Sequence, residues 1–404
     1  MTAIFWGIMS MNEIVVAGAG IGDFTHEVQS ALNEADVVLA SSRFRDLIPQ
    51  GKRIIDLKDF DSSFSQLEHE HGNKLILLSG DSCLFSLLPM IKKRFMNIRV
   101  LPGISSLQVL CARACEIWND AVILSGHGRT LRAGTFLNIV ERNHLVILFC
   151  DRNISPQWAC ENLNRIHGDI EVFIGCNLGL NDEQVFHGKP EEFMCQNFPE
   201  LSIILVKNHN VYVPVNFHLR DSEFIRENSI VMTNECVRSV VLSRLNLNHD
   251  SVLWDIGAGS GSISISAGHE EIYAEIHAIE YRHEAADLIS RNASHFHTHN
   301  VIIHEARALD VLHTLPQPTH IFIGGSEGEL DGILEYISQM KSSVQIMIAC
   351  VTLETFSRAY EVLRDWENFE AVQISVNTSK HLNPSMTLIN ARTPVMILSA
   401  NHNV

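Results

Sequence analysis

Short apolar runs alternate with amphipathic stretches along all 404 residues, and that alternation narrows the fold more than any other feature. A buried parallel strand needs only a brief aliphatic run, whereas a covering helix repeats its apolar positions about every 3.6 residues. Ile14–Ala17, Leu75–Leu78, Val146–Phe149 and Leu201–Val206 read as strands in the first half. Val252–Ile256, Ile276–Ile279, Val301–His304, Ile321–Ile323, Val344–Ala349 and Val372–Val376 read as strands in the second. Helical spacing lies between them, as at Val28, Ala31, Leu32 and Ala35. The expected class is α/β. The length suits two or three domains at roughly 100–200 residues each. From Lys207 to Arg226 the period is lost, so the expected division is 12–207, a linker over 208–226, and 227–404.

Composition removes several function classes. Asp and Glu number 47 against 30 Lys and Arg, a formal charge of −17. Such a field repels phosphate backbones, so no nucleic-acid partner is expected, and an anionic substrate must be met by locally placed Arg, Lys or backbone N–H groups. Nine cysteines occur without a CxxC pair, which fits reduced thiols and gives no zinc ribbon. The apolar runs fall short of the ~20 residues that cross a membrane, so no membrane association is expected. Met1–Met9 is apolar without a basic leader and does not fit a signal peptide. The expected compartment is the cytoplasm.

Chemistry concentrates at glycine-bearing turns. In Val252-Leu-Trp-Asp-Ile-Gly-Ala-Gly-Ser-Gly261 a strand ends near Asp255, glycines turn the chain, and a helix opens near Ser262 with free N–H groups. The next strand ends in Glu280, placed to accept hydrogen bonds from ribose hydroxyls. Ser262 stands where a dinucleotide fingerprint has its third glycine. The spacing is similar to the S-adenosylmethionine loop of Rossmann-like methyltransferases; another nucleotide turn, or a merely tight one, is the alternative. The first half carries Val16-Ala-Gly18-Ala-Gly20-Ile-Gly22-Asp23, Leu78-Ser-Gly80-Asp81-Ser82 and Leu101-Pro-Gly103-Ile-Ser105-Ser106, each closing a strand. Ligands of open α/β sheets bind at that end. Ser125-Gly-His127-Gly-Arg129, with Arg132 beyond it, adds donors suited to carboxylates.

These first-half motifs, with Asn177-Leu-Gly179 and Asp182-Glu183, resemble the tetrapyrrole (corrin and porphyrin) methylase family. The second half resembles the decarboxylating precorrin methyltransferase domain. The matching pieces are Asp221-Ser-Glu-Phe224, Thr233, Glu235, Val237-Arg238, the Asp255–Gly261 loop, Ile323-Gly-Gly-Ser326, Val351-Thr-Leu-Glu-Thr355 and Asn390. The fused order is similar to the bifunctional corrin-precursor methyltransferases of cobalamin biosynthesis. The resemblance implies a two-lobed tetrapyrrole methylase fold followed by a Rossmann-like class I methyltransferase fold. It implies methylation of C5 by the first domain, and methylation of C15 with loss of the C12 acetate carboxyl by the second. S-adenosylmethionine is the implied cofactor, held by Gly18, Gly20, Gly22, Gly80, Asp81, Ser105 and Ser106 in the first domain. In the second it is held by Thr233, Asp255, Gly257, Ala258, Gly259, Ser260, Gly261, Glu280 and Ala308. Arg129, Arg132 and Arg238 are the expected contacts to the acidic arms of a tetrapyrrole substrate. No catalytic acid–base residue is singled out, since a sulfonium is already activated and asks chiefly for alignment. Related domains assemble as dimers and tetramers, so a homo-oligomer is expected.

Five departures from the family pattern stand out: Ser82 for proline, Cys176 for glutamate, Asn234 for lysine, Ser266 for an acid, and Ala306-Arg307 for Gly-Asp. They keep two other readings open, a methyltransferase of RNA or another metabolite and a non-catalytic tetrapyrrole-binding scaffold. His295, His297 and His299 alternate at a helix end without a partnering Cys or carboxylate, so they read as a solvated cluster and no metal is expected. His69-Glu70-His71 reads the same way, and Lys92-Lys93-Arg94 as a solvated helix face.

Overall fold

The computed structural model describes residues 13–19, 24–127, 131–166, 168–214, 216–383 and 385–403. Gly20, Gly22 and Arg129 lie outside the described residues. The chain divides into two compact units, one within 1–131 and 143–210, the other comprising 132–142 and 211–404.

The first unit has two sheets. β1 (Ile14–Ala19), β2 (Val37–Ala40), β3 (Arg53–Asp56), β4 (Lys74–Ser79) and β5 (Ile98–Leu101) form a parallel sheet in the order β3-β2-β4-β1-β5. β1 and β4 are buried on both faces, as a central parallel strand must be, and this is why they read as unbroken aliphatic runs. The second sheet joins β6 (Val122–Ser125), β7 (Leu145–Phe149), β8 (Ile170–Cys176), β9 (Gln184–Gly188) and β10 (Ser202–Asn208) in the order β6-β7-β10-β8-β9. Only β6 and β7 in it are parallel.

The second unit contains β11 (Val252–Ile256), β12 (Glu275–Glu280), β13 (Val301–Glu305), β14 (His320–Ile323), β15 (Val344–Cys350), β16 (Glu367–Ile374), β17 (Asn377–Asn383), β18 (Met386–Ala391) and β19 (Val395–His402). Seven of these form one sheet, β13-β12-β11-β14-β15-β19-β16, with β19 antiparallel to both neighbours. The chain moves outward from β11 through β12 to β13, then returns to β14 on the other side. The order therefore reverses at β11, and a crevice opens beyond the carboxyl ends of β11 and its neighbours. β17 and β18 form a separate exposed hairpin.

The aperiodic stretch expected to be a linker is partly core. Leu219 and Phe224 are buried against Val237, Val241 and Phe296 of the second unit. The helix Ala133–Arg142 also belongs to this unit: the Asn138 amide donates to Asn300 Oδ1 at 2.9 Å and its Oδ1 accepts the His299 N–H at 2.9 Å. All nine cysteines are free thiols, and five of them are buried. Among the described residues no helix is long and apolar enough to cross a membrane.

Candidate cofactor clefts

In the second unit, the loop after β11 is shaped by three glycines at positive φ: Gly257 (+70°), Gly259 (+58°) and Gly261 (+77°). The sequence reads these glycines as the turn of a candidate cofactor loop. The structure adds a reason of its own. A Cβ on Gly257 would stand 2.3 Å from the Gly325 carbonyl, one on Gly259 2.8 Å from the Val231 carbonyl, and one on Gly261 2.9 Å from the Ile289 side chain. The loop needs glycine because the protein itself crowds it, and because L residues are strained at these angles.

Gly261 caps the helix Ser262–Glu270 without a side-chain hydrogen bond. One of the helix's early N–H groups is met from below: Asp255, 1% exposed, accepts the Ser264 N–H on Oδ2 at 3.1 Å and the Ser264 hydroxyl on the same oxygen. Burial pushes the Asp255 carboxyl up to about 6; the two Ser264 bonds pull it down and the nearby Glu280 charge pushes it up. Asp255 is thus a brace under the loop.

Glu280 ends β12 and is 4% exposed. Its Oε2 accepts the Gly259 N–H at 2.9 Å, and its Oε1 accepts the Arg282 backbone N–H and Nε–H, both at 3.1 Å. Glu280 lines the crevice with Gly257, Tyr281, Arg307, Ala308 and Gly325. Gly325 has open space where a Cβ would be. Ser260 Oγ is buried with no partner. Arg307, at the place of the usual aspartate, pairs with Glu329 at 2.7 Å and lies 5.4 Å over the Tyr281 ring. Tyr281 escapes the sequence reading and Arg307 enters it only as a departure, although each directly adjoins an expected site residue.

The segment before the loop is held by Arg238. Its guanidinium donates to the Leu219 carbonyl at 2.6 Å, the Thr233 carbonyl at 2.7 Å and Asp221 at 3.0 Å, and stacks 4.9 Å over Phe224. Two residues before Thr233, the Val231 carbonyl accepts the Ser260 N–H at 3.1 Å, so the pinned segment closes on the glycine loop. The substrate role expected for Arg238 does not fit this placement: the side chain is 2% exposed and makes three hydrogen bonds within the protein. Arg132 lies away from this crevice. It pairs with Glu275, the first residue of β12, whereas the crevice opens at the last. Six residues of strand at about 3.3 Å each separate those ends.

In the first unit, the end of β1 meets two loops. A Cβ on Gly18 would stand 2.4 Å from the Gly80 carbonyl and 2.6 Å from the Gly103 nitrogen, and one on Gly103 would stand 2.4 Å from the same carbonyl. The end of β1 and the turns after β4 and β5 therefore touch backbone to backbone. Asp81 Oδ1 accepts the Cys83 N–H at 2.7 Å, and its Oδ2 the Gly103 N–H at 3.4 Å. Ser105 caps the helix Ser106–Ala114 in a capping box with Gln108. Ser82, in place of proline, donates to the Leu101 carbonyl at 2.8 Å and ties the second loop to the third. Beside this helix, Arg113 pairs with Glu183 at 2.9 Å and Gly179 N–H donates to the same carboxylate at 2.7 Å, which brings the Asn177–Glu183 motif to the groove.

Two further departures sit in local contacts. Asn234 caps the helix Glu235–Leu245 and donates to Asp221 at 3.0 Å. Cys176 is buried, 3.4 Å from the Ser202 hydroxyl.

Two family descriptions fit the chain, Tetrapyrrole (Corrin/Porphyrin) Methylases over residues 13–193 and Precorrin methyltransferase domain over 224–402. A probable cobalt-precorrin-6B C(15)-methyltransferase (decarboxylating) from Pyrobaculum calidifontis is 34% identical over 185 residues, 45% of this chain and 93% of the relative. The chain belongs to the precorrin methyltransferase family. A precorrin-6Y C(5,15)-methyltransferase [decarboxylating] from a Sinorhizobium species is 29% identical over 353 residues, 83% of this chain and 82% of the relative. A crystal structure of precorrin-6y C5,15-methyltransferase from Geobacter metallireducens is 36% identical, spans 45% of this chain and 96% of its own, and has a TM-score of 0.41. This methyltransferase thus joins a tetrapyrrole methylase to a precorrin methyltransferase in one chain.

Proposed function

We propose that the chain is a bifunctional S-adenosylmethionine-dependent enzyme acting on precorrin-6B or its cobalt form. Its first domain methylates C5; its second methylates C15 and removes the C12 acetate carboxyl. The observation that carries this reading is a glycine-bearing cluster in each family domain at the carboxyl ends of parallel strands, with a crevice beside the second. The second cleft fits the cofactor. Glu280 is the acid that would meet the ribose hydroxyls, the helix from Ser262 offers uncapped N–H groups, Ser260 Oγ lacks a partner among the described residues, and Gly325 leaves its side open.

When bound, S-adenosylmethionine supplies an activated methyl group. The residues' work is alignment and exclusion of water. Glu280 orients the ribose, and Asp255 and Arg238 hold the loop from beneath and beside it. Decarboxylation needs an acceptor for the electron pair of the breaking C–C bond, and the conjugated macrocycle is that acceptor. The protein need only withhold ground-state hydrogen bonds from that one carboxylate. An assembly of identical chains belongs to the same reading, supported by exposed Leu382, Met386, Leu388 and Ile389 on the β17–β18 hairpin. Calorimetry tests the site count: two S-adenosylmethionine molecules per chain are expected, and one or none would overturn the reading.

A further inference from the structure

Behind the second unit's sheet, two histidines converge on one buried carboxylate oxygen. Glu141 Oε2 lies 2.9 Å from His297 Nδ1 and 2.8 Å from His299 Nε2. The missing carboxylate of the histidine cluster is therefore supplied from 156 residues away in the chain. One ligand atom from each of the three side chains falls within 4.8 Å of the others.

We propose that Glu141, His297 and His299 form a binding site for a divalent transition-metal ion of the zinc class. Two imidazole nitrogens and one carboxylate oxygen are the three-ligand set that zinc accepts with a fourth, solvent-filled position. Ligand atoms around a tetrahedral ion at about 2.0–2.2 Å stand about 3.3 Å apart, so each imidazole nitrogen need move from the Glu141 oxygen by only about 0.5 Å. The backbones are fixed in advance. His297 sits at φ +51°, an angle few non-glycine residues hold without support. His299 donates its N–H to Asn138, and its carbonyl lies 2.3 Å from where a Cβ on Gly134 would be, so only glycine fits there. The Tyr212 ring stacks on His297 at 4.2 Å and walls one side. The His297 and His299 side chains remain 38% and 23% exposed, leaving an entry path and room for the fourth ligand. Bound there, the ion ties the Ala133–Arg142 helix to the turn before β13.

The test is a titration of the chelator-treated full chain with Co(II). We expect one equivalent to give the visible d–d bands of a four-coordinate nitrogen and oxygen site, displaced by Zn(II), without the intense near-ultraviolet bands of thiolate ligation. Zn(II) should also raise the melting temperature. Glu141→Gln and His299→Ala should weaken binding roughly tenfold or more, while His295→Ala, a change at an exposed neighbour, should leave it intact. Circular dichroism establishes folding of each variant; should Glu141→Gln fail to fold, His297→Ala carries the comparison. The proposal is overturned if no d–d bands develop, or if they persist unchanged in folded Glu141→Gln, His299→Ala or His297→Ala protein. The three side chains would then be a hydrogen-bonded cluster only.

Discussion

The Glu280 carboxylate at the end of β12 accepts the N–H of Gly259 at 2.9 Å across a 21-residue separation. This bond joins the acid proposed to orient the ribose to the turn proposed to hold the rest of the cofactor. Glu280→Ala removes both the acceptor and the anchor of Arg282. We expect S-adenosylmethionine binding in the second domain to weaken by roughly 1–3 kcal/mol, with first-domain binding unchanged. Calorimetry on the full chain resolves the two sites, and equal weakening of both would contradict the assignment.

Gly325→Val and Gly259→Val should differ in kind. A side chain on Gly325 enters open crevice space, whereas one on Gly259 meets the Val231 carbonyl at an unfavourable φ. Gly325→Val should therefore keep the parent melting temperature and lose C15 methylation and decarboxylation together. It should still methylate C5 of a ring already methylated at C15. Gly259→Val should lose stability as well as activity. Thermal unfolding beside product mass analysis separates the two, and a loss of C5 methylation in folded Gly325→Val protein would mean that the domains share a site.

The Asp255 carboxyl makes stability depend on pH in an unusual direction. Its value in the folded chain is raised from the ordinary 3.8 to about 6, so the folded protein holds a proton the unfolded chain has released. Stability is then lost as pH rises through that window, and the cost is complete above it. Asp255→Asn keeps an oxygen for Ser264 and carries no charge. It should stabilise the protein at pH 8 by at most about 3 kcal/mol and confer no gain near pH 4. Denaturant unfolding at both values checks this; a gain independent of pH would contradict it.

Arg238→Met should act on stability before chemistry. It removes the Arg238 guanidinium from Asp221, which keeps Asn234 and Arg226, and the donors from the Leu219 and Thr233 carbonyls. Loss of one member of a buried ion pair costs about 3–5 kcal/mol. We expect a loss of that size by urea unfolding. A fully stable variant with only a raised KM for the tetrapyrrole would restore the substrate role.

Strands buried on both faces were legible in the sequence because burial leaves one mark, an aliphatic run, as at Val252–Ile256 and Leu75–Leu78. The β17–β18 hairpin carried no such mark, since every residue of both strands is exposed. The glycine loops were visible as turns, but the reason for Gly257 and Gly259 was not: the carbonyls of Gly325 and Val231 are distant in the chain and close only in the fold. The same holds for Glu141, whose bond to His297 no local spacing announces. Arg238 was conspicuous as a cation, and its partners Leu219 and Asp221 lay in a stretch that read as linker.

The central claim, two methyl transfers and one decarboxylation by one chain, is tested most directly by mass spectrometry of a single reaction. Purified full-length protein is incubated with S-adenosylmethionine and precorrin-6B, with and without cobalt in the ring. The account predicts a product that has gained two methyl groups and lost one carbon dioxide in at least one of the two incubations. An unchanged ring in both, or a product that retains all its carboxyl groups, would contradict it.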